Sequence, residues 1–376
     1  MQIHINELAS RAPYSDAERA VTSLEDARDA LAEVGRWPRY APTPLRDLPG
    51  MASELGLAKV WMKDESQRLG QNSFKSLGGA YAATLKVSDM ADKQNIVLCT
   101  ATEGNHGRSV AYAAQRLGCK AVIFMQEHAL DYKVAAIEAL GATVIRSPGN
   151  YDDSVVIAAA AAEKNGWLLI SDTNDASDRT VHHVMHGYGI MALELLDQFE
   201  PARFPTHVFL QAGVGGLAAG VIGVLSEKLG AARPQFVVVE PETAACVLAS
   251  AQEGRPAQLK GDVSTVMQML AVGNASPAAW PILSIRADAF ITVRDDEAIR
   301  IRQRLLMGEF GLASHDIGLS GVAGLTGLHT LIGHSSEAAE RLGLGPDSRV
   351  LVFGTEAGPT TATATAPADE QAALQR

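Results

Sequence analysis

From Asn95 onward the chain alternates short apolar runs with longer, alanine-rich stretches of helical period. The runs fall at Ile96 to Cys99, Ala121 to Met125, Thr143 to Arg146 and Leu168 to Ser171. A second set follows at His207 to Gln211, Phe236 to Glu240, Phe290 to Val293 and Val350 to Phe353. Strand and helix alternating at this spacing predict right-handed βαβ units and parallel sheet covered on both faces. The N-terminal part is less regular. A charged helical segment spans about Ser15 to Val34, and the three prolines between Trp37 and Leu45 forbid a regular helix there. A helix near Pro49 to Leu55, a strand at Lys59 to Asp64 and a helix from about Leu77 to Val87 follow. Nothing repeats at a fixed period. Breaks near Lys86 to Asp92 and Met191 to Glu200 predict a large domain, 1–86 with 195–358, and a small inserted α/β domain, 87–194. The Thr/Ala/Pro-rich tail, 359–376, is low in complexity and is expected to be disordered.

The length of 376 residues exceeds what one core usually serves, which fits two packed subdomains. With 47% hydrophobic and 20% charged residues the composition is that of an ordinary soluble globular protein. The net charge of −11 argues against a nucleic-acid or anionic-membrane partner, since either would need a basic surface. A small molecule is the expected partner. Cys99, Cys119 and Cys246 are odd in number and scattered, which suits reduced thiols better than a disulfide framework or a zinc site. The N-terminus has no signal-peptide pattern, and no apolar run reaches the roughly eighteen residues of a membrane span. A cytoplasmic setting is expected.

Three stretches carry chemistry. Gln71-Asn72-Ser73-Phe74-Lys75-Ser76-Leu77-Gly78-Gly79 sets a lysine between an aromatic ring and two glycines. Partial desolvation there would activate the Lys75 amine for imine formation with a carbonyl; the plainer alternative is a solvated lysine at a helix start. Gln211-Ala212-Gly213-Val214-Gly215-Gly216-Leu217 joins a strand to a helix, so converging N–H groups and the helix dipole suit a phosphate. A tight βα turn or a dinucleotide fingerprint is the alternative, and the glycine spacing departs from the latter. Ala101-Thr102-Glu103-Gly104-Asn105-His106-Gly107-Arg108 also opens a helix, where Thr102 can cap and free N–H groups can hold a carboxylate; it also reads as a plain helix cap.

In their order along the chain, lysine, asparagine and glycine loop, the three stretches resemble the fold type II pyridoxal-phosphate enzymes, the group of threonine dehydratases and tryptophan synthase β chains, and within it most of all the diaminopropionate ammonia-lyases. The resemblance covers most of the chain. It takes in Tyr40-Ala41-Pro42-Thr43-Pro44-Leu45, Lys63-Asp64-Glu65-Ser66, Asn105-His106-Gly107-Arg108, Ser171-Asp172-Thr173, Gly187-Tyr188-Gly189, Gln211 to Gly215 and Gly354-Thr355-Glu356. It implies an α/β fold of two three-layer αβα subdomains with twisted, mainly parallel sheets. By the same resemblance Lys75 bonds pyridoxal phosphate and Asn105 meets the cofactor's 3-hydroxyl. The backbone of Gly213, Val214, Gly215, Gly216 and Leu217 binds the phosphate. Thr355 places a hydroxyl, in place of an aspartate, against the pyridine nitrogen, which leaves the ring unprotonated and favours elimination at Cβ.

The implied reaction is α,β-elimination from a β-substituted amino acid, 2,3-diaminopropionate giving pyruvate and ammonia. Its carboxylate is expected at the N–H groups of Thr102 to His106, Gly104 included. Lys75 is the expected α-proton base, with Glu103 or Asp172 as the acid for the leaving group. The rivals are a dehydratase of a β-hydroxy amino acid, a β-replacement synthase and a non-catalytic binder. Two positions depart from the relatives' pattern: Glu103, where they carry aspartate, and Leu319 in Gly318-Leu319-Ser320-Gly321, where they carry glutamate. His182, His183 and His186 lack the carboxylate that would complete a metal site, so no metal is expected. They read instead as lining the substrate entrance, with His183 a substrate contact. A homodimer is expected.

Overall fold

The protein was obtained as a computed structural model that describes residues 1–102, 104–149, 151–171 and 179–358. The tail expected to be disordered lies outside these residues, as do Glu103 and Asp172. The strands are β1 (Ile3–Ile5), β2 (Leu45–Asp47), β3 (Lys59–Asp64), β4 (Val97–Ala101), β5 (Lys120–Gln126), β6 (Thr143–Ser147), β7 (Leu168–Leu169), β8 (His207–Gln211), β9 (Gln235–Pro241), β10 (Ala289–Val293) and β11 (Arg349–Gly354). They form two sheets, one of seven strands ordered β1-β10-β9-β8-β11-β3-β2 and one of four ordered β6-β5-β4-β7. Every pairing is parallel except the two outermost pairs of the larger sheet, β1 with β10 and β2 with β3. β8 and β10 are buried along their whole length, as parallel strands covered on both faces must be.

The nine apolar runs read as strands all form strands, whereas the three-residue β1 and β2 are too short to show a period. The charged segment at Ser15 to Val34 is two helices, Asp16–Arg19 and Leu24–Val34. Two serines make the break. Ser15 and Ser23 each accept a hydrogen bond from the backbone N–H three residues on, so each starts its own helix. The interruption leaves buried Glu18 facing Arg286, whose Nη2 donates to it at 2.9 Å.

Helices Lys75–Lys86 and Thr180–Gln198 pack backbone to backbone. A Cβ on Gly78 would lie 2.7 Å from the Val184 carbonyl oxygen, and one on Gly187 2.6 Å from that of Leu77. Only glycine permits this approach, which explains Gly187; a Cβ on Gly189 would instead meet Ala27 Cβ at 2.9 Å.

Beneath the crossing lies a buried charge network. Arg68 donates to both oxygens of Glu65 (2.7 and 2.8 Å) and of Glu194 (2.7 and 2.8 Å). Lys63 donates to Glu194 at 2.7 Å and to the Thr43 carbonyl at 2.8 Å. All four charged residues are buried. Burial pushes the Glu194 carboxyl up, but Arg68 and Lys63 more than offset it and hold the group below the usual carboxylate range.

Two cations against two carboxylates balance; three charges would not. Glu194→Gln is therefore expected to destabilise the fold by about 3–5 kcal/mol, the usual cost of leaving a buried charge uncompensated. Urea unfolding of both proteins at one pH measures it, and a loss below about 1 kcal/mol would show that the network contributes no more than a surface pair.

Candidate active site

The lysine loop leaves β3 and is tied down before it reaches Lys75. Glu65 N–H donates to Gly354 O at 2.8 Å, Phe74 N–H to Thr355 O at 3.1 Å and Ala357 N–H to Asn72 O at 3.0 Å, which stitches the loop to the chain leaving β11. Leu69 and Asn72 have φ of 52° and 58°, a left-handed backbone that non-glycine residues adopt only when their surroundings impose it. Lys75 follows at the first position of its helix, half-buried, its Nζ 5.9 Å from the centre of the Phe74 ring. It lines a cavity together with Thr102, Asn105, His106, Gln211, Thr355, Glu356 and all five residues from Gly213 to Leu217. Lysine, asparagine and glycine loops, separate in sequence, thus meet around one space.

The asparagine loop leaves β4 and opens helix Asn105–Leu117. Thr102 caps it as expected, its Oγ1 accepting from Gly104 N (2.8 Å) and Gly107 N (3.0 Å), while its own N–H donates to Phe124 O (3.0 Å). Three N–H groups of the turn are thereby used inside the protein. Of the N–H groups expected to hold a carboxylate over Thr102 to His106, those of Thr102 and Gly104 are therefore engaged within the protein. Asn105 donates its side-chain amide to Glu356 Oε2. His106 Nε2 pairs with the Ile170 carbonyl oxygen at 2.9 Å, which fixes its ring against the backbone.

The glycine loop leaves β8 and opens helix Gly216–Leu229, with Gly215 at φ 100°. A Cβ on Gly215 would lie 2.7 Å from Leu283 Cδ1. The loop is backed by helix Cys246–Glu253, whose N–H groups at Val247 and Leu248 donate to Glu240 at 2.8 and 2.7 Å. Complete burial pushes the Glu240 carboxyl up to about 8 despite those bonds. Burial likewise raises the thiol of Cys246, which approaches Gly213 O at 3.5 Å and is a packing group.

Sequence reasoning missed two residues. Gln211, at the end of β8, donates through Nε2 to Thr355 Oγ1 at 3.0 Å and to the Phe353 and Gly321 carbonyl oxygens, also at 3.0 Å. Because the Thr355 oxygen accepts from Gln211, the hydroxyl proton is left to donate elsewhere. Glu356 lines the same cavity as Lys75. Burial raises its pKa, opposed by Lys133, Asn105, Ser320 and Lys75. Its place directly after Thr355 was the available signal.

His183 does not line the cavity; its ring packs on that of His186 at 5.7 Å, and His186 Nε2 pairs with Val21 O at 3.1 Å. Helix periodicity explains this: Val181, Val184, Met185 and Tyr188 occupy the face toward the cavity, and His183 falls off that face. Glu103 and Asp172 lie outside the described residues. Among the described residues no group of histidine, cysteine and acidic side chains is arranged to hold a metal, and no helix is long and apolar enough to cross a membrane.

The cavity suits pyridoxal phosphate. A glycine turn at a helix N-terminus meets a phosphate, an amine stands within the cavity, and the free Thr355 proton matches an unprotonated pyridine nitrogen. The comparisons agree. Over 337 residues the chain is 37% identical to the diaminopropionate ammonia-lyase of Escherichia coli (strain K12), covering 84% of each protein. It is 29% identical over 310 residues to the biosynthetic L-threonine dehydratase of the same organism, covering 81% of this chain and 56% of that one. The crystal structure of the Escherichia coli diaminopropionate ammonia-lyase with an aminoacrylate-PLP azomethine reaction intermediate superposes with a TM-score of 0.85 at 33% identity, covering 99% of this chain and 96% of that one. Residues 37–356 match the family described as pyridoxal-phosphate dependent enzyme, and the chain belongs to that family.

Proposed function

We propose that the protein is an ammonia-lyase that eliminates the β-amino group of 2,3-diaminopropionate to give pyruvate and two molecules of ammonia, one water being consumed. The observation that carries this reading is the meeting of Lys75, Asn105, Thr355 and the Gly213–Leu217 turn in one cavity, together with the 37% identity to a lyase of that name. Bound pyridoxal phosphate supplies the electron sink that makes the substrate Cα–H bond acidic. The chain supplies the rest. The turn beyond Gly104 holds the substrate carboxylate at the start of its helix. The Lys75 amine takes the α-proton, and Glu103 or Asp172 protonates the departing nitrogen. Thr355, oriented by Gln211, would offer its hydroxyl proton to the pyridine nitrogen of the bound cofactor.

A dehydratase of β-hydroxy amino acids is the second reading, supported by the similarity to L-threonine dehydratase. It uses the same residues with water leaving. A homodimer and a cytoplasmic setting belong to the same proposal, the latter supported by three cysteines without a disulfide. So does the division into 1–86 with 195–358 and 87–194, supported by β4 to β7 pairing only among themselves.

The purified protein is expected to be yellow and to release pyruvate from 2,3-diaminopropionate, and Lys75→Ala to lose both colour and turnover. 2-Oxo acid release across a panel of β-amino and β-hydroxy amino acids checks the substrate; turnover of hydroxy acids alone would move the assignment to the dehydratase. Glu103→Gln should lower turnover by about 10² to 10⁴, a general acid's usual contribution. The loss should be smaller on β-chloroalanine, whose leaving group needs no proton, and equal losses would remove Glu103 from that role. Light scattering should give twice the chain mass, and a monomer mass at micromolar concentration would refute the dimer.

A further inference from the structure

A second cavity, of about 220 Å³, adjoins the first and shares Asn105, Met269, Ser320 and Glu356 with it. Arg108 lines the second cavity and not the first. It lies one turn after Asn105, so Gly104, Asn105 and Arg108 fall on one helix face and border the same space. Among the described residues the Arg108 guanidinium has no counter-ion and makes no ion pair, its Nε is buried without a hydrogen-bond partner, and burial alone shifts it, downward. Its position adds to the cost, because the first turn of a helix is where the macrodipole repels a cation. Lys133 lines the same cavity and donates to Gln268 at 2.7 Å. Among the described lining residues the one acid is Glu356, already engaged by Asn105. The remaining wall includes Leu319, Ile137 and Val266, none of which offers a charge.

A half-buried arginine that no described residue pairs with is unfavourable unless an anion arrives to meet it. The shared wall says where that anion comes from. A ligand held at Asn105 in the first cavity needs to extend only about one helical turn, roughly 5 Å, to reach the Arg108 side of the second. We propose that the second cavity is a subsite for a carboxylate carried at the end of the substrate's side chain, held by Arg108. The enzyme therefore takes β-substituted amino acids whose substituent bears an acid, in addition to 2,3-diaminopropionate. Leu319 makes this possible, since an acid at that position would occupy the cavity as an internal counter-ion.

The inference rests on the first cavity being an amino-acid site, and binding separates it from the lyase reading. Glutamate, 2-aminoadipate and their side-chain amides have no β leaving group, so calorimetry on the holoenzyme reads affinity alone. At least one acid is expected to bind tenfold or more tightly than its amide. Arg108→Gln should bring that ratio to about one, and so should Leu319→Glu, which installs the missing carboxylate. Equal affinities for acid and amide at both chain lengths would overturn the proposal, as would a preference that survives Arg108→Gln. Inorganic sulfate is the control: sulfate binding that depends on Arg108 but does not compete with 2-aminoadipate would make the site one for a separate anion and overturn the substrate assignment. Acid preference without pyruvate release from 2,3-diaminopropionate would leave the subsite standing and reject the lyase.

Discussion

Arg68 is the fixed point from which the site is built. A guanidinium out of water must have its charge and its donors satisfied, and here they are satisfied by Glu65 three residues earlier, by Glu194 far along the chain, and by the Ala41 carbonyl and Thr43 hydroxyl. Four separate segments are thereby brought to one place: the proline-rich stretch, the end of β3, the turn into the lysine loop and helix Thr180–Gln198. Lys63 completes the charge balance from within β3. Lys75 is seven residues downstream, beyond two left-handed positions and a backbone stitched to Thr355 and Ala357. Its position is inherited from the network.

Around Lys75 a single geometric device is used three times. β3, β4 and β8 each end in a loop that opens a helix, and the starts of helices Lys75–Lys86, Asn105–Leu117 and Gly216–Leu229 all border the same cavity. Helix N-termini carry positive potential and unpaired N–H groups, so their convergence suits a ligand bearing both phosphate and carboxylate. β11 adds Thr355 and Glu356 from between them. Carboxyl ends of parallel strands are where open α/β sheets bind ligands in general, and here two sheets contribute.

The second cavity applies the same electrostatics with a different balance. Arg108 stands where a helix N-terminus already favours anions, and among the described residues no acid pairs with it. In the Arg68 network every charge has its opposite built in. The contrast separates a group that holds the fold from one arranged to meet a ligand.

Much of this was legible in the chain. Strand periodicity yielded the parallel sheets, because a strand buried on both faces must be continuously apolar. The three loops could be read because glycine, proline and capping residues act locally: Gly215 at a positive φ and Thr102 over its own turn depend on neighbours within a few residues. Other features depend on partners remote in sequence. Nothing local indicates that Arg68 will bury itself against Glu194, that Gln211 will orient Thr355, or that the His183 ring will pack on His186 away from the cavity. That Arg108 makes no ion pair among the described residues is of the same kind, since it depends on every segment that surrounds it. Residue types and their short-range spacing determined the elements and the candidate chemistry; which charges pair, and which one is left for a ligand, was decided only when distant segments packed and water was excluded from between them.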